Sequence, residues 1–323
     1  MAAFHLLRLP YVAMDHVLCI MNLDELISLS LVSSRAKRTV TNFSRTKPII
    51  CVHLGFADEP WMKISRKNEE WMISWTSNER SLGYEIKSGR DHFVHQVCNY
   101  SMNPIEDWMK AYDYIKGILG CEIEFLQFEL SSSSTLNKSI VDFLHSQQNS
   151  IGQMNVFNVK KGSEDNLKYL LNNTIITEKM KLFIRAQKGD FQMDIPTITH
   201  SIYMSDCRFI DFEQLQRLKN RCIWLNQSVL TAHELNRFLK SWMAFESHLE
   251  LETFRIEFSG SETMEVIMDL PHKETTDQNF IEAFTEEFST RRGDKLFDIK
   301  RSDGKVATVG FEHDGHRFNM LIH

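Results

Sequence analysis

Three histidines near the C-terminus are the residues whose type and spacing come closest to a metal site. His313, His316 and His323 follow one another within eleven positions of the sequence. Zinc sites built on histidine usually add cysteine or carboxylate ligands at fixed spacings, and no such pattern surrounds these residues. His313-Asp314-Gly315 is instead typical of a turn. The sequence therefore predicts solvent-exposed turn histidines and no metal site.

Three glutamates could supply paired carboxylates for acid–base catalysis. Glu282, Glu286 and Glu287 lie close together, but apolar residues alternate with them at helical spacing. These apolar residues are Phe280, Ile281, Phe284 and Phe288. The pattern predicts the solvent-facing side of an amphipathic helix rather than a catalytic pair.

A basic cluster near the N-terminus could contact nucleic acid. It consists of Arg35, Lys37, Arg38, Arg45 and Lys47, with no acidic residue between Glu25 and Asp58. The segment lacks the recognition helix of a protein that reads a DNA groove. A solvated basic face, open to an acidic partner, is the favoured interpretation.

The cysteines offer no recognisable nucleophile. Six are scattered without a C-x-x-C pair or a neighbouring histidine motif: Cys19, Cys51, Cys98, Cys121, Cys207 and Cys222. We interpret them as reduced thiols with a structural role, although their even number leaves disulfides open. Phosphate-binding, dinucleotide-binding, G-x-S-x-G and H-E-x-x-H motifs are absent from the sequence. The sequence therefore predicts no catalytic residue, no cofactor and no enzymatic activity.

The overall composition further narrows the class of protein that the sequence predicts. The 323 residues include 37 basic and 43 acidic side chains, a net charge of −6, and are 42% hydrophobic, which is typical of a globular protein. An acidic balance argues against non-specific binding to nucleic acid. No apolar run approaches the roughly 20 residues that span a bilayer. The N-terminal apolar stretch is broken by Arg8, Pro10 and Asp15, which is unlike a signal peptide. We expect no membrane partner and an intracellular location, with cytoplasm and nucleus both open.

The N-terminal segment is predicted to form three short helices. Pro10 suits a first helical position, and one apolar face follows at Met14, Val17, Leu18 and Met21. A second helix begins at a capping box, Asn22 with Glu25, and carries Leu23, Leu26, Ile27 and Leu31. A third helix carries Ala36, Val40 and Phe43. Leu9, Leu29 and Val32 add more apolar surface than a module of this size can bury alone. The rest of the chain or a partner must cover it.

The sequence after the N-terminal segment predicts an α/β fold. An amphipathic helix begins at Asn103-Pro104, and strands and helices alternate after Gly120. We predict strands at 123–130, 154–159, 181–185, 201–204, 223–225 and 253–258, and helices at 136–145, 165–171, 212–218 and 231–242. Intervals near 21 residues resemble leucine-rich repeats, with a curved solenoid and an open sheet both possible. Strands at 296–300, 306–311 and 318–322 predict a C-terminal β-meander.

The sequence resembles a known family in two regions. "LRLPYVAMDHVLCIMNLDELISLSLVSSRAKRTV" resembles an F-box, with the Leu9-Pro10 step and an apolar run from Leu23 to Ser33. "YIKGILGCEIEFLQFEL", "IWLNQSVLTAHELNRFLKSWM" and "IKRSDGKVATVGFE" look like the type 2 F-box-associated domain of the large nematode F-box family. Ala36 and Lys37 stand where many F-boxes have a bulky aromatic residue.

This resemblance implies a substrate-recognition subunit of a Skp–cullin–F-box (SCF) ubiquitin ligase. It divides the chain into an F-box at 1–47, a connecting region with an amphipathic helix at 48–122, and an associated substrate-recognition domain at 123–323. The F-box would bind a Skp-type adaptor, and through it cullin and RING subunits, while the third region would bind a protein substrate. The expected adaptor contacts are Leu9, Pro10, Met14, Val17, Leu18, Met21 and Leu26. A leucine-rich-repeat-like interaction scaffold without a role in ubiquitin transfer is the alternative.

Overall fold

The computed structural model describes residues 6–46, 50–66, 69–88, 93–160, 162–185, 195–196, 198–258, 264–289, 295–312 and 316–323. The chain divides into two compact units. The first contains residues 1–129 and 142–152, and the second contains residues 130–141 and 153–323. The first unit thus contains both the N-terminal helices and residues 50–129. The boundaries at 47 and 122, between the F-box, the connecting region and the associated domain, stay a prediction.

The first unit combines helices with a mixed sheet. Its helices are α1 (Tyr11–Ile20), α2 (Leu23–Val32), α3 (Ser34–Arg45) and α4 (Pro104–Leu119), with short 3-10 turns at Leu6–Arg8 and Glu79–Ser81. Its strands are β1 (Cys51–Phe56), β2 (Trp61–Arg66), β3 (Glu69–Thr76), β4 (Gly83–Ser88), β5 (Phe93–Tyr100) and β6 (Glu122–Glu129). The strand order is β6-β1-β2-β3-β5-β4. The β6–β1 and β3–β5 pairs are parallel and the others antiparallel.

Helix α4 fills the core of the first unit. Pro104 occupies its first turn, and Gly120 ends it with a left-handed φ of 64°, a conformation that glycine adopts without a Cβ penalty. Trp108 is fully buried, and its indole Nε1–H donates to the carbonyl of Trp61, 3.0 Å away. The predicted amphipathic helix is therefore confirmed, with Trp108 and Tyr112 on its buried face.

The second unit contains the alternating strands and helices. Its strands are β8 (Ile175–Arg185), β9 (Ser201–Met204), β10 (Cys222–Ser228), β11 (Thr253–Phe258), β12 (Lys273–Glu274), β13 (Leu296–Lys300), β14 (Val306–Glu312) and β15 (Arg317–Ile322). Its helices are α6 (Glu164–Asn173), α7 (Phe212–Arg217), α8 (Ala232–Met243), α9 (Met264–Ile267) and α10 (Gln278–Phe288). The boundary between the units passes through α5 (Ser134–Gln147) and β7 (Ser150–Lys160).

Parallel strands of the second unit change to a meander at the C-terminus. The order within the unit is β12-β13-β14-β15-β11-β10-β9-β8-β7. The β8–β9, β9–β10 and β10–β11 pairs are parallel. The β11–β15, β15–β14, β14–β13 and β13–β12 pairs are antiparallel. A mixed α/β chain with N-terminal helices and a C-terminal meander is therefore confirmed.

The leucine-rich-repeat-like part of the fold prediction is not confirmed. The strands of this layer vary from four residues in β9 to eleven in β8, although a repeat requires similar units. Strands and helices alternate from β6 to β8 and again from β9 to β11, but no helix is described between β8 and β9, so the alternation is interrupted. None of the described helices combines the length and the apolar character that crossing a bilayer requires.

Candidate functional site

The three N-terminal helices are set by local capping signals. The Asn22 side chain accepts a hydrogen bond from the Glu25 backbone N–H, and the Glu25 carboxylate accepts one from the Asn22 backbone N–H. This confirms the predicted capping box at the start of α2. At the next helix, the Ser33 hydroxyl accepts a bond from the Ala36 N–H. These caps satisfy N–H groups of the first turns and fix where α2 and α3 begin.

Polar and cationic contacts attach these helices to the rest of the first unit. The hydroxyls of Ser30 and Tyr114 lie 2.9 Å apart, which connects α2 to α4. Lys37 lies over the same tyrosine ring, 4.5 Å from its centroid, and connects α3 to α4. Arg66 of β2 donates to the carbonyl of Met21, 3.0 Å away, at the end of α1. The helices are therefore part of a folded unit, with defined inward and outward faces.

Five large apolar side chains of these helices remain exposed. Tyr11, Val12 and Ile20 belong to α1, and Leu31 and Val32 end α2; they are between 66% and 83% exposed. Val12, His16 and Ile20 follow at intervals of four residues, so they share one face of α1. Exposed apolar side chains are ordinary singly, but a group within so short a segment is typical of a protein-binding surface. We call these five residues the exposed apolar group.

The expected adaptor contacts occupy different depths. Pro10 is exposed, and Leu9, Met14, Val17 and Met21 are half-buried. Leu18 and Leu26 are each 1% exposed, so their side chains serve the chain's own core. The face of α1 predicted to contact the adaptor thus carries the buried Leu18, and the exposed apolar group lies outside the expected set. Its signal in the sequence is a second apolar spacing, Val12 to Ile20, on the opposite side of the helix from Leu18.

Two of the six cysteines, Cys121 and Cys207, are buried, and the other four are half-buried. Burial raises the pKa of Cys121 and of Cys207 to about 12. Burial also raises the pKa of Cys51 and Cys222 above the usual thiol range. All six cysteines are free. A thiol whose pKa lies well above neutrality is a poor nucleophile, because the thiolate is the reactive form.

Three other groups are candidates for chemistry or binding in the sequence: the glutamates of α10, the C-terminal histidines and the N-terminal basic cluster. Glu282, Glu286 and Glu287 are exposed on α10, as predicted for its solvent-facing side. His316 is exposed, and the His323 ring stacks on Phe280 with centroids 3.8 Å apart. Of the basic cluster, Arg38 and Arg45 are exposed, and Arg35 donates to the carbonyl of Leu7. His313 and Lys47 lie outside the described residues.

Comparison with known protein families gives two matches. An F-box domain model matches residues 6–48, which contain α1, α2 and α3. An F-box-associated domain model matches residues 191–256, which contain β9, α7, β10, α8 and the first four residues of β11. The chain therefore carries an F-box domain and an F-box-associated domain, although most of it lies outside both matches. No curated protein and no solved structure matches the chain.

An F-box domain implies binding to a Skp-type adaptor, and F-box proteins are typically adaptors without enzymatic activity of their own. The exposed apolar group lies within the matched F-box segment.

Proposed function

We propose that this chain is the substrate-recognition subunit of an SCF-type ubiquitin ligase, of the kind found in the large nematode F-box family. The F-box binds a Skp-type adaptor that connects to cullin and RING subunits, and the associated domain binds a protein substrate. The observation that carries the proposal is the exposed apolar group of α1 and α2, which lies within the residues that match an F-box.

The hydrophobic effect explains why this surface suits a partner. Burying large apolar side chains contributes about 25 cal/mol per Å² of apolar surface, which favours association once a complementary surface is available. Of the expected set, Pro10 is exposed and Leu9, Met14, Val17 and Met21 are half-buried, so these five retain at least partial exposure. Leu18 and Leu26 are buried in the chain's own core. We propose that the adaptor covers the exposed apolar group together with the accessible members of the expected set.

The proposed activity requires no chemistry from this chain. A receptor that holds a substrate beside a ubiquitin-loaded enzyme accelerates transfer by raising the local concentration of the two reactants. The raised pKa values of Cys51, Cys121, Cys207 and Cys222 support this role, because these thiols are poor acceptors of ubiquitin at neutral pH. We place the protein inside the cell, where the ligase subunits are found.

Affinity capture of the tagged full chain from a cell extract tests the proposal. Mass spectrometry of the captured proteins should identify a Skp-type adaptor and a cullin. Replacing Leu9 and Pro10 together by alanine should abolish that capture and leave the circular dichroism spectrum of the chain unchanged. Undiminished capture by the double variant would contradict the assignment of these two positions. Capture of partners without any adaptor or cullin would favour the interaction-scaffold alternative.

A further inference from the structure

Three potential metal ligands converge where adjacent parallel strands of the second unit begin. His200 directly precedes β9, Cys222 is the first residue of β10, and Glu252 directly precedes β11. The backbone N–H of Cys222 donates to the carbonyl of His200, 3.1 Å away. The N–H of Glu252 donates to the carbonyl of Arg221, 2.7 Å away. These bonds hold the three strand starts side by side and bring three different ligand types together.

The ligand atoms have the separations of a metal site. His200 Nε2 lies 3.7 Å from Cys222 Sγ and 3.4 Å from Glu252 Oε2, and the sulfur lies 3.9 Å from the same carboxylate oxygen. Zinc–ligand bonds of about 2.3 Å to sulfur and about 2.0 Å to nitrogen and oxygen place tetrahedral ligands about 3.3–3.6 Å apart. Shifts of a few tenths of an ångström would therefore close the three atoms around one ion.

The surroundings orient the carboxylate toward that position. Arg221 Nη1 donates to Glu252 Oε1, 2.9 Å away, which leaves Oε2 facing the histidine and the cysteine. Arg221 Nη2 lies 3.4 Å from Glu250. An outer partner of this kind fixes a ligand's orientation and is a common part of metal sites. The arginine thus holds one ligand in place without occupying the space between the three atoms.

We propose that His200, Cys222 and Glu252 form an open zinc site at the starts of β9, β10 and β11. Imidazole and thiolate ligands favour Zn²⁺ over Mg²⁺ or Ca²⁺, which prefer oxygen. Binding displaces the Cys222 thiol proton to solvent, and three protein ligands leave a fourth position for water or an exchangeable ligand. This inference departs from the sequence prediction of no metal site and does not depend on the proposed adaptor function.

Metal titration of the purified full chain tests this site. The chain is freed of metal with a chelator, then titrated with Zn²⁺ by calorimetry and with Co²⁺ by absorption spectroscopy. We expect one equivalent of each ion and a sulfur-to-cobalt charge-transfer band from Cys222. The variant Cys222→Ser should lose this band and bind Zn²⁺ on the order of a hundredfold more weakly, at the upper end of the cost of removing even an outer partner. Cys98→Ser, at a half-buried cysteine of β5, is the matched control and should bind like the wild type.

The variant His200→Ala provides a second measurement in case Cys222→Ser does not fold. The His200 side chain is 45% exposed, so its replacement should preserve the circular dichroism spectrum while weakening Zn²⁺ binding by a similar factor. Failure of the wild type to take up Zn²⁺, or absence of the sulfur-to-cobalt band from its spectrum, would overturn the proposal. Unchanged binding by His200→Ala would do the same, because the three residues would then form only a surface ion pair with a neighbouring thiol.

Discussion

At the scale of single residues, the N-terminal helices place apolar side chains on two faces with different roles. Leu18 and Leu26 are buried within the first unit, whereas Val12 and Ile20 point away from that core. Apolar residues stand on both faces of α1, so spacing alone does not say which one is inward. Packing in the folded chain decides this: Leu18 is 1% exposed, whereas Val12 is 66% and Ile20 is 83% exposed.

The proposed zinc ligands are even harder to recognise from sequence spacing, because they lie far apart in the chain. Cys222 is 22 positions from His200 and 30 positions from Glu252. Short ligand spacings such as C-x-x-C are visible in a sequence, whereas ligands on three separate strands become neighbours only through strand pairing. The register that pairs Cys222 with Ser201 and with Thr253 brings them together.

A buried histidine gives a pH-dependent prediction at this scale. His248 is 4% exposed, and its Nε2–H donates to the carbonyl of Leu215, 3.1 Å away. Its Nδ1 forms no hydrogen bond with any residue that the structure describes. Burial lowers the pKa of His248 to about 4, so the ring is neutral in the folded chain at neutral pH. An unfolded histidine has a pKa of about 6.5, so the unfolded state binds the proton first as the pH falls.

We therefore expect His248 to destabilise the chain as the pH falls from about 6.5 to about 4, by about 3 kcal/mol in total. Above pH 6.5 it contributes no pH dependence. Urea denaturation at a series of pH values measures this loss. The variant His248→Asn, whose side chain tolerates the left-handed φ of 51° at this position, should lose less stability over the same range. An identical pH dependence of wild type and variant would contradict the lowered pKa.

At the scale of secondary-structure elements, α8 is the helix that the sequence specifies most fully. Its capping box pairs the Thr231 hydroxyl with the Glu234 N–H, as the spacing predicts. Leu235, Phe238, Leu239 and Trp242 are all buried on one face. The guanidinium carbon of Arg301 lies 5.2 Å from the Trp242 ring centroid, so the turn after β13 helps to cover this helix. For α8, the capping box, the helical spacing and the tertiary packing therefore agree.

The burial of Trp242 gives a prediction for this element. Trp242→Ala removes a fully buried indole, and we expect a loss of about 3–5 kcal/mol in the free energy of unfolding, from lost burial and the cavity left behind. Trp242→Phe, which keeps an aromatic ring, is the control and should cost less. Urea denaturation at neutral pH measures both changes. A loss within about 0.5 kcal/mol for the alanine variant would show that the ring contributes surface rather than core.

Other elements show which strands local sequence patterns predict and which they do not. The bounds of β9, β11 and β13 match the predicted strands, because each carries a compact apolar stretch. In contrast, β1, β2, β4 and β5 have no counterpart among the predicted strands and lie in the region predicted as a connection. β4 exposes Tyr84 and Ile86, so its apolar residues do not mark a buried face. β5 pairs in parallel with β3 and antiparallel with β4, an arrangement set by long-range pairing rather than by local spacing.

At the scale of the whole molecule, the two matched domains lie in different compact units. The F-box match belongs to the first unit, and the F-box-associated match belongs to the second. This separation suits a subunit that binds two partners, because each surface has its own hydrophobic core to support it. A change on the exposed face of α1 should therefore affect adaptor binding without unfolding the second unit.

Binding of the full chain to a purified Skp-type adaptor tests this account most directly. Calorimetry should give one adaptor per chain, and Ile20→Asp should weaken binding at least about tenfold, because it places a charge in an apolar interface. Ile198→Asp is the matched control, since Ile198 is 73% exposed and Ile20 is 83% exposed, and Ile198 lies in the second unit. The account predicts that the control binds like the wild type. No binding by the wild-type chain, or equal binding by Ile20→Asp and Ile198→Asp, would contradict it.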